Sequence, residues 1–383
     1  MKGVNGMKRG IAILLAAVLL LSVAGCSGGE KIAASTGTWI TYKEVFDHVK
    51  NDAGTDIMVY SYQQPVIMSS ASGTNIINTK LNDATTAFLY GSGGVQEMTE
   101  LAKMDWKESW FTSYSLTRDV SVARADDAVV SFRYSDYAFS GGVHGYIAEY
   151  GVNYDMVSGA QLEFRDLTDD EWALREVCRM HIMAELEDEE NELKDALMPN
   201  YTQYLDLVLK NWVLTDEGLQ FIAQPYVIAA YAVGTLRFTV PYEKIAHVLE
   251  KKWLPEDRGH GGGTIEMTVV DDAQPAPTNF SLDGQGMSLL VRVNGTIYDF
   301  SVEGVNSYPS EGTTVFYLTQ QHLYSPKISS ESFGLQLSIP DTRPNTMLRW
   351  KDGDGKEYQY YMTYDGVNGG VIMKGAAPQL SRD

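Results

Sequence analysis

The stretch Ser140-Gly141-Gly142-Val143-His144-Gly145 places three glycines around one histidine. It lies between residues 128–137 and 147–156, where apolar and polar residues alternate as they do in strands. Glycine adopts backbone conformations that other residues avoid, and it lets two backbones approach closely. We therefore predict a sharp bend between two antiparallel strands, with His144 as an anchor of the turn or a group of a functional site. The residues alone favour the anchor.

The segments around this bend show both strand and helix patterns. Residues 56–68 and 113–123 alternate as strands do. Apolar residues recur at helical intervals in four segments, 74–90, 169–197, 201–213 and 242–253. We expect an α+β fold with antiparallel sheets and packed helices over residues 50–253.

The composition changes at residues 254–263, where Pro255, Gly259 and three consecutive glycines are typical of a linker. After this linker every segment has the alternation of a short strand. Asn294-Gly295 is the preferred dipeptide of a two-residue hairpin turn. These features predict a second, smaller, all-β domain of sandwich or barrel-like form over residues 264–383.

Two motifs in the first domain resemble a known pair of domains. The glycine-histidine stretch is followed by a Tyr154-Asp155 hairpin, and a later block from Leu214 to Tyr242 contains Pro225-Tyr226. In this order the motifs resemble the paired domains of unknown function 4163 and 3298. Those domains form the extracytoplasmic part of lysozyme-sensing anti-sigma factors and the N-terminal module of peptidoglycan deacetylases. The resemblance covers about residues 50–253.

The resemblance implies an α+β module that binds a ligand at the cell envelope, either a cationic protein such as lysozyme or peptidoglycan glycan. Two positions depart from the family pattern: Val227 stands where an acid is usual, and Ala230 where a proline is usual. The candidate binding or structural residues that the resemblance implies are Gly141, Gly142, His144, Gly145, Tyr154, Asp155, Pro225 and Tyr226.

The first 25 residues have the organisation of a bacterial lipoprotein signal peptide. Basic residues precede an apolar run over residues 11–21, which is shorter than the roughly 20 residues that span a bilayer. Val23-Ala24-Gly25-Cys26 then places small residues before a thiol that accepts a diacylglycerol. We expect Cys26 to carry the lipid and residues 26–49 to form the anchor and tether. The protein would be extracytoplasmic, on the cytoplasmic membrane or, where two membranes exist, the outer one.

The chain is acidic, with 30 Lys and Arg against 50 Asp and Glu and a formal net charge of −20. Such a surface repels phosphate backbones, so we exclude nucleic acid as a partner, whereas a cationic protein is a natural one. Two cysteines occur in the chain. With Cys26 lipidated, Cys178 has no intrachain disulfide partner, so stability must come from a hydrophobic core.

The sequence contains none of the common catalytic or cofactor motifs. No two of the six histidines are spaced to bind a metal from one helix face, and no nucleophile elbow, phosphate loop or dinucleotide fingerprint occurs. We predict no metal and no cofactor. Cys178 and His181 share an apolar helical stripe, which favours a core role for both. The acidic run 187–190 is typical of a solvated face, and it is also a candidate docking site for a cationic partner.

We therefore expect a non-catalytic binding or sensing lipoprotein. One alternative is a cell-wall hydrolase that uses His144 with a nearby carboxylate, Asp155 or Asp136, as its acid/base pair. That alternative requires a carboxylate within hydrogen-bond reach of the histidine. Another alternative is a structural or assembly lipoprotein in which the C-terminal domain carries the contacts.

Replacing Cys26 by alanine should move the protein out of the membrane fraction, because this thiol is the predicted lipid acceptor. Each buried methylene of an acyl chain adds about 0.8 kcal/mol to membrane attachment. Cell fractionation and mass spectrometry of the N-terminal peptide check the prediction, with Cys178→Ala as the control. Unchanged membrane retention of Cys26→Ala, or an intact leader without an acyl group, would contradict it.

Overall fold

The structure is a computed structural model that describes residues 37–188, 191, 193–270, 279–282, 287–310, 313–338, 344–364 and 371–375. The predicted signal peptide and the predicted lipid acceptor Cys26 lie outside these residues. The first part of the chain contains strands β1 (Trp39–Lys50), β2 (Asp56–Met68), β3 (Tyr114–Ala125), β4 (Val129–Phe139), β5 (Tyr146–Asp155), β6 (Trp212–Leu214), β7 (Gly218–Ala223) and β8 (Leu236–Pro241). Its helices are α1 (Thr74–Tyr90), α2 (Val95–Asp105), α3 (Glu171–Glu187), α4 (Leu205–Val208) and α5 (Tyr242–Ile245).

The remainder of the described chain is built from strands. They are β9 (Thr264–Val269), β10 (Asn279–Ser281), β11 (Met287–Asn294), β12 (Thr296–Ser310), β13 (Thr313–Ser329), β14 (Ser332–Leu337), β15 (Thr346–Lys351), β16 (Glu357–Tyr364) and β17 (Val371–Gly375).

These strands form three sheets within the described residues. The largest has ten strands in the order β17-β16-β15-β12-β13-β1-β2-β3-β4-β5. A four-stranded sheet has the order β10-β14-β11-β9, and a three-stranded sheet the order β6-β7-β8. Most neighbours are antiparallel, with parallel pairing between β2 and β3 and between β10 and β14. The predicted α+β class with antiparallel sheets and packed helices is therefore confirmed.

Helix α3 begins close to the predicted residue and ends earlier. The side chain of Asp170 accepts a hydrogen bond from the amide of Ala173 at 3.0 Å, which caps the helix. Its apolar stripe is buried, as predicted, at Leu174, Cys178, Ile182 and Leu186. The prediction that the helix continues to Leu197 is wrong. Repulsion within the acidic run and the absence of a basic residue in the last turn disfavour continuation.

The two shorter predicted helices are also largely wrong. In the first, the α-helix is confined to α4, preceded by a 3-10 turn at Tyr201–Tyr204 and followed by β6. In the second, the α-helix is confined to α5, and a 3-10 turn forms at Lys251–Trp253. The apolar side chains of both segments pack into the core that α3 covers. Burial in that core overrides local helical periodicity.

The prediction of a tether as far as residue 49 is wrong from Trp39 onward, because these residues form β1. This strand pairs with β2 along its length and with β13 at Ile40 and Thr41. The ten-stranded sheet therefore runs through the predicted boundary between the α+β module and the β-rich domain. The described residues form one compact unit.

The four-stranded sheet packs on the β12, β13, β15 and β16 end of the large sheet, so the predicted sandwich is present. Trp39 of β1 lies inside its core, with ring centroids 4.6 Å from Phe280 and 5.0 Å from Phe333. The core also contains Leu289 and Leu348 from the facing sheets. A side chain from the predicted tether thus belongs to the core of the predicted second domain.

Asn294-Gly295 does not form the predicted hairpin. Strand β11 ends at Asn294 and pairs with β9 and β14, whereas β12 begins at Thr296 and pairs with β13 and β15. The dipeptide therefore carries the chain from one sheet of the sandwich to the other. Gly295 has a φ of 82°, and Asn294 is outside the positive-φ region that a type I′ turn requires at both positions.

Two buried glutamines bridge the large sheet where its strands separate. Strands β2 and β3 pair at Met58–Tyr62 and Tyr114–Arg118. Beyond this ladder, Oε1 of Gln63 accepts from the amide of Val120 at 3.1 Å, and its Nε2 donates to the carbonyl of Gln321 at 3.0 Å. Oε1 of Gln321 accepts from the amide of Val122 at 3.1 Å. Side-chain amides thus replace missing ladder bonds between β2, β3 and β13.

Replacing Gln63 by leucine should lower the free energy of unfolding by about 2–6 kcal/mol. The substitution leaves the amide of Val120 and the carbonyl of Gln321 buried without this partner, and each unsatisfied group costs about 1–3 kcal/mol. Urea denaturation of the full chain in detergent measures the change. Gln64→Leu, at the half-buried neighbouring position, is the matched control and should cost less than about 1 kcal/mol. Equal effects of the two substitutions would contradict the bridging role.

Candidate functional site

The glycine-histidine stretch forms the loop between β4 and β5, so the predicted bend is present. Gly141 and Gly142 have φ angles of 93° and 99°, a region that favours glycine. A Cβ atom on Gly145 would lie 2.4 Å from the ring of Tyr137. The first two glycines therefore allow the turn, and the third allows an aromatic ring to cover the backbone.

His144 lies on the surface of this loop and stacks on Tyr231. The two ring centroids are 4.1 Å apart, with an interplanar angle of 23°. Nδ1 of His144 lies 2.9 Å from the carbonyl oxygen of Gly145, and the hydroxyl of Tyr231 donates to that same oxygen at 2.8 Å. The histidine thus anchors the loop while one face of the cluster stays open to solvent.

The Pro225-Tyr226 motif lies next to Tyr231, the residue on which His144 stacks. Tyr226 follows β7, has a φ of 67°, and is 58% exposed. Its ring centroid lies 5.4 Å from that of Tyr231. His144, Tyr226 and Tyr231 together form a continuous surface, which we call the aromatic face. Sequence analysis named the first two as site residues but not Tyr231, which joins them.

Polar contacts behind the aromatic face hold β5 against the three-stranded sheet. Arg237 of β8 forms a bidentate pair with Glu149 of β5 at 2.7 and 3.0 Å. The side chain of Gln224 exchanges hydrogen bonds with the backbone of Glu149, and Nδ2 of Asn211 donates to its carbonyl at 2.8 Å. These bonds fix the loop and the tyrosine segment relative to each other.

Exposed apolar side chains also lie on the β4–β5 loop and beside it. Val143 at the tip of the loop is 99% exposed, and Tyr146 at the start of β5 is also exposed. The exposed ring of Trp110 lies 3.6 Å from the position that a Cβ on Gly141 would occupy. Contiguous exposed apolar and aromatic surface marks interaction sites more often than scattered single residues do.

Tyr154 and Asp155, the other two predicted site residues, lie at the opposite end of β5. The Tyr154 ring is buried in the core, and burial raises its pKa to about 12. Oδ1 of Asp155 accepts from the amides of Val157 and Ser158, both at 2.8 Å, and so closes a turn. At roughly 3.3 Å per residue, this end of the strand is about 30 Å from the loop. The structure does not bring these residues to the aromatic face.

The carboxylates that the hydrolase alternative would pair with His144 make other contacts. Asp136 accepts two hydrogen bonds from Arg118, at 2.7 and 2.6 Å. Asp155 caps its own turn at the far end of β5. Among the described residues, neither carboxylate completes the acid/base pair that this alternative requires.

The remaining sequence candidates are distributed through the core and the surface. Cys178 is fully buried, and burial raises its pKa to about 12, which disfavours the reactive thiolate. The acidic run after α3 is described at Glu187 and Asp188, while Glu189 and Glu190 lie outside the described residues. In the described part of the chain, no three His, Cys, Asp or Glu side chains are grouped to hold a metal ion.

Residues 164–243 match the family model DUF3298, a protein of unknown function. Residues 52–146 match the model described as Deacetylase PdaC. The predicted resemblance to paired domains of these kinds is therefore confirmed. In the aromatic face, His144 belongs to the segment that matches Deacetylase PdaC, and Tyr226 and Tyr231 belong to the segment that matches DUF3298.

Solved structures that are similar to this chain include the following two. One is a DUF3298 family member from Bacteroides fragilis, with 20% identity and a TM-score of 0.45, covering 57% of this chain and 96% of its own. The other is a DUF3298 family protein from Pseudomonas aeruginosa, with 14% identity and a TM-score of 0.41, covering 58% of this chain and 98% of its own. No curated protein matches the chain.

Replacing Tyr231 by phenylalanine should loosen the β4–β5 loop. The change removes the hydroxyl that donates to Gly145 and keeps the stacked ring, so the cost is about 1 kcal/mol. That cost corresponds to roughly fivefold faster amide exchange in residues 140–146, measured by hydrogen–deuterium exchange. Tyr226→Phe removes the hydroxyl of an exposed ring and is the matched control. Unchanged exchange in Tyr231→Phe would refute the anchoring contact.

Proposed function

We propose that this chain is a membrane-anchored extracytoplasmic lipoprotein whose α+β part is a non-catalytic binding module for a cell-envelope ligand. The ligand is a cationic protein such as lysozyme, or the glycan of peptidoglycan. One observation carries the proposal: the two motifs behind the family resemblance meet at the exposed aromatic face. Neither family model names a ligand.

The aromatic face has the properties of a recognition surface. Tyrosine combines a large apolar ring with a polar hydroxyl, loses little conformational entropy on binding, and is enriched at interfaces. The rings of this face are held by stacking on each other. The hydrogen bonds of Glu149 with Arg237, Gln224 and Asn211 hold the segments that carry them. A ligand would therefore meet a preorganised surface, which lowers the entropic cost of binding.

Of the two ligand classes, the charge of this chain favours the cationic protein. The formal net charge of −20 attracts a basic partner and accelerates its association at low salt. A neutral glycan gains nothing from this field. The salt dependence of binding therefore separates the two ligand classes.

Binding is better supported than hydrolysis. The histidine of the loop is occupied by stacking and by a contact to the backbone, while Asp136 is paired with Arg118. A general acid or base must lie within about 3 Å of the proton that it transfers. The surface at His144 thus presents ring faces rather than a paired acid and base.

The anchoring part of the proposal rests on the sequence of the leader. Cys26, the predicted lipid acceptor, is followed by a short segment, and the described chain begins at Gly37. None of the helices in the described residues is long and apolar enough to cross a membrane. In this proposal, a lipid on Cys26 holds the protein at a membrane surface.

Binding of the full chain, solubilised in detergent, should be measured against purified lysozyme and insoluble peptidoglycan. Tyr226→Ala should weaken binding to the true ligand by about 30-fold, the loss typical of an interface hot spot of 2 kcal/mol. Trp172→Ala, at a residue of α3 that is 73% exposed, is the matched control and should bind as the unchanged protein does.

The outcome at two salt concentrations completes the test. Lysozyme binding should weaken steeply between 50 and 300 mM NaCl, whereas glycan binding should change little. Absence of binding to both ligands, or equal losses in Tyr226→Ala and Trp172→Ala, would overturn the proposed function.

A further inference from the structure

A polar groove lies beside the point where strands β2, β3 and β13 separate in the ten-stranded sheet. It consists of two cavities, of about 380 and 190 Å³, which adjoin because Arg133, Leu318 and Gln321 line both of them. We call these two cavities the polar groove. The larger volume falls within the range of about 300–1,000 Å³ that is typical of ligand pockets. The groove is therefore large enough to hold a small ligand.

Two sheets line the polar groove. The large sheet contributes Ser121 from β3, Arg133 from β4 and Gln321 from β13. The three-stranded sheet contributes Gln220 of β7 to the larger cavity and Arg237 of β8 to the smaller one. Nη2 of Arg133 donates to Oε1 of Gln220 at 2.6 Å, and this bond fixes the two sheets relative to each other. A ligand would therefore meet walls that are already in place.

Most residues that line the groove are polar or charged, and several of the charged ones form ion pairs with each other. In the larger cavity the pairs are Arg349 with Glu303 and Glu357, and Lys351 with Asp216 and Asp299. In the smaller cavity, Glu149 and Arg237 form the bidentate pair described above. A charged ligand would compete with these pairs and leave a partly buried charge without its partner, which is costly. The groove therefore favours a neutral ligand.

Gln321 supplies a hydrogen-bond donor to the groove. This residue lines both cavities and is 5% exposed. Its Oε1 accepts from the hydroxyl of Tyr42 at 2.6 Å and from the amide of Val122 at 3.1 Å, whereas its Nε2 donates to no other group among the described residues. A buried N–H group without a partner is destabilising. An acceptor oxygen of a ligand in the groove would satisfy it.

We propose that the polar groove binds a neutral oligosaccharide. A hydroxyl group both donates and accepts hydrogen bonds, so one sugar can accept from Gln321 and Arg133 and donate to the carboxylates of the groove. An ionised carboxylate has about four lone-pair sites, so it can accept from a sugar hydroxyl while it keeps its ion pair. The two adjoining cavities would hold consecutive sugar units.

An extended peptide matches the polar groove less well. Peptides bind in grooves through a free strand edge or through apolar pockets for their side chains. In the larger cavity the apolar side chains are few, among them Val122 and Leu318. A sugar, by contrast, carries hydroxyls around its ring and matches a lining of amides, carboxylates and guanidinium groups.

The polar groove is a second binding site, separate from the one proposed above. Neither cavity is lined by His144, Tyr226 or Tyr231, which form the aromatic face. The two sites also differ in chemistry, because one presents exposed rings and the other hydrogen-bonding side chains. Substitutions in one site can therefore be tested without altering the other.

Isothermal titration calorimetry of the full chain in detergent tests the groove, with N,N′,N″-triacetylchitotriose and maltotriose as neutral probes. We expect at least one of these sugars to bind. Its affinity should change by less than about twofold between 50 and 300 mM NaCl, because salt screens only interactions between charges. Acetyl-trialanine amide, a neutral capped peptide, should not bind.

Ser121→Phe places a ring in the smaller cavity and should weaken sugar binding by at least about tenfold, because the ring occupies the space of the ligand. Ser115→Phe is the matched control, at a half-buried position on the same face of β3 that lines neither cavity. It should bind the sugar as the unchanged protein does. Tyr226→Ala, in the aromatic face, should also leave sugar binding unchanged.

Each result decides the proposal. Absence of binding by both sugars, binding of the peptide in their place, or steep weakening with salt would overturn it. Equal losses in Ser121→Phe and Ser115→Phe would also overturn it, and a loss in Tyr226→Ala would assign the sugar to the aromatic face instead. Should Ser121→Phe fail to fold, hydrogen–deuterium exchange of the unchanged protein still decides, because residues 119–123 and 318–321 must gain protection when the sugar is added.

Discussion

The fold depends on strand β1, which joins the two halves of the ten-stranded sheet. Strand β1 pairs fully with β2 on one side but meets β13 at two residue pairs on the other, and the strands then separate. Backbone groups that lose their ladder partners must be satisfied elsewhere, since a buried unpaired amide is costly. Gln63 and Gln321 supply those bonds with their side chains.

The sequence predicted those elements whose pattern is set locally. Residues 56–68 and 74–90 match β2 and α1 to the residue, because each has one buried face with a clear period. The sequence predicts a tether where β1 forms, because most side chains between Lys43 and Lys50 are exposed and the strand lacks a clear alternation there. Helix α2 went unpredicted, although Val95, Met98 and Ala102 are buried at helical spacing. The predicted hairpin at Asn294-Gly295 is wrong because long-range packing, which the local sequence does not show, decides which strands β11 and β12 pair with.

The candidate site likewise has a part that the local sequence predicts and a part that depends on long-range packing. The bend at Gly141–Gly145 follows from residue types in one short stretch, so it could be predicted. The stacking of His144 on Tyr231 joins residues far apart in the chain, and no local pattern shows it. The same holds for Glu149 and Arg237, which pair between β5 and β8. In each case long-range packing decides whether a histidine or an acid anchors other elements or is an ordinary surface group.

The position of Trp39 has a consequence for how this protein can be divided into fragments. Its indole is enclosed by Phe280, Phe300 and Phe333, all of which come after the glycine-rich segment at 259–263. A recombinant product that stops at that segment would expose the ring on an unpaired strand edge, and exposed edges of this kind favour aggregation. A loss of ligand capture in such a product would reflect an unfinished sheet rather than a missing contact surface. Point substitutions, rather than truncation, are therefore the sound way to assign roles to the two ends of this chain.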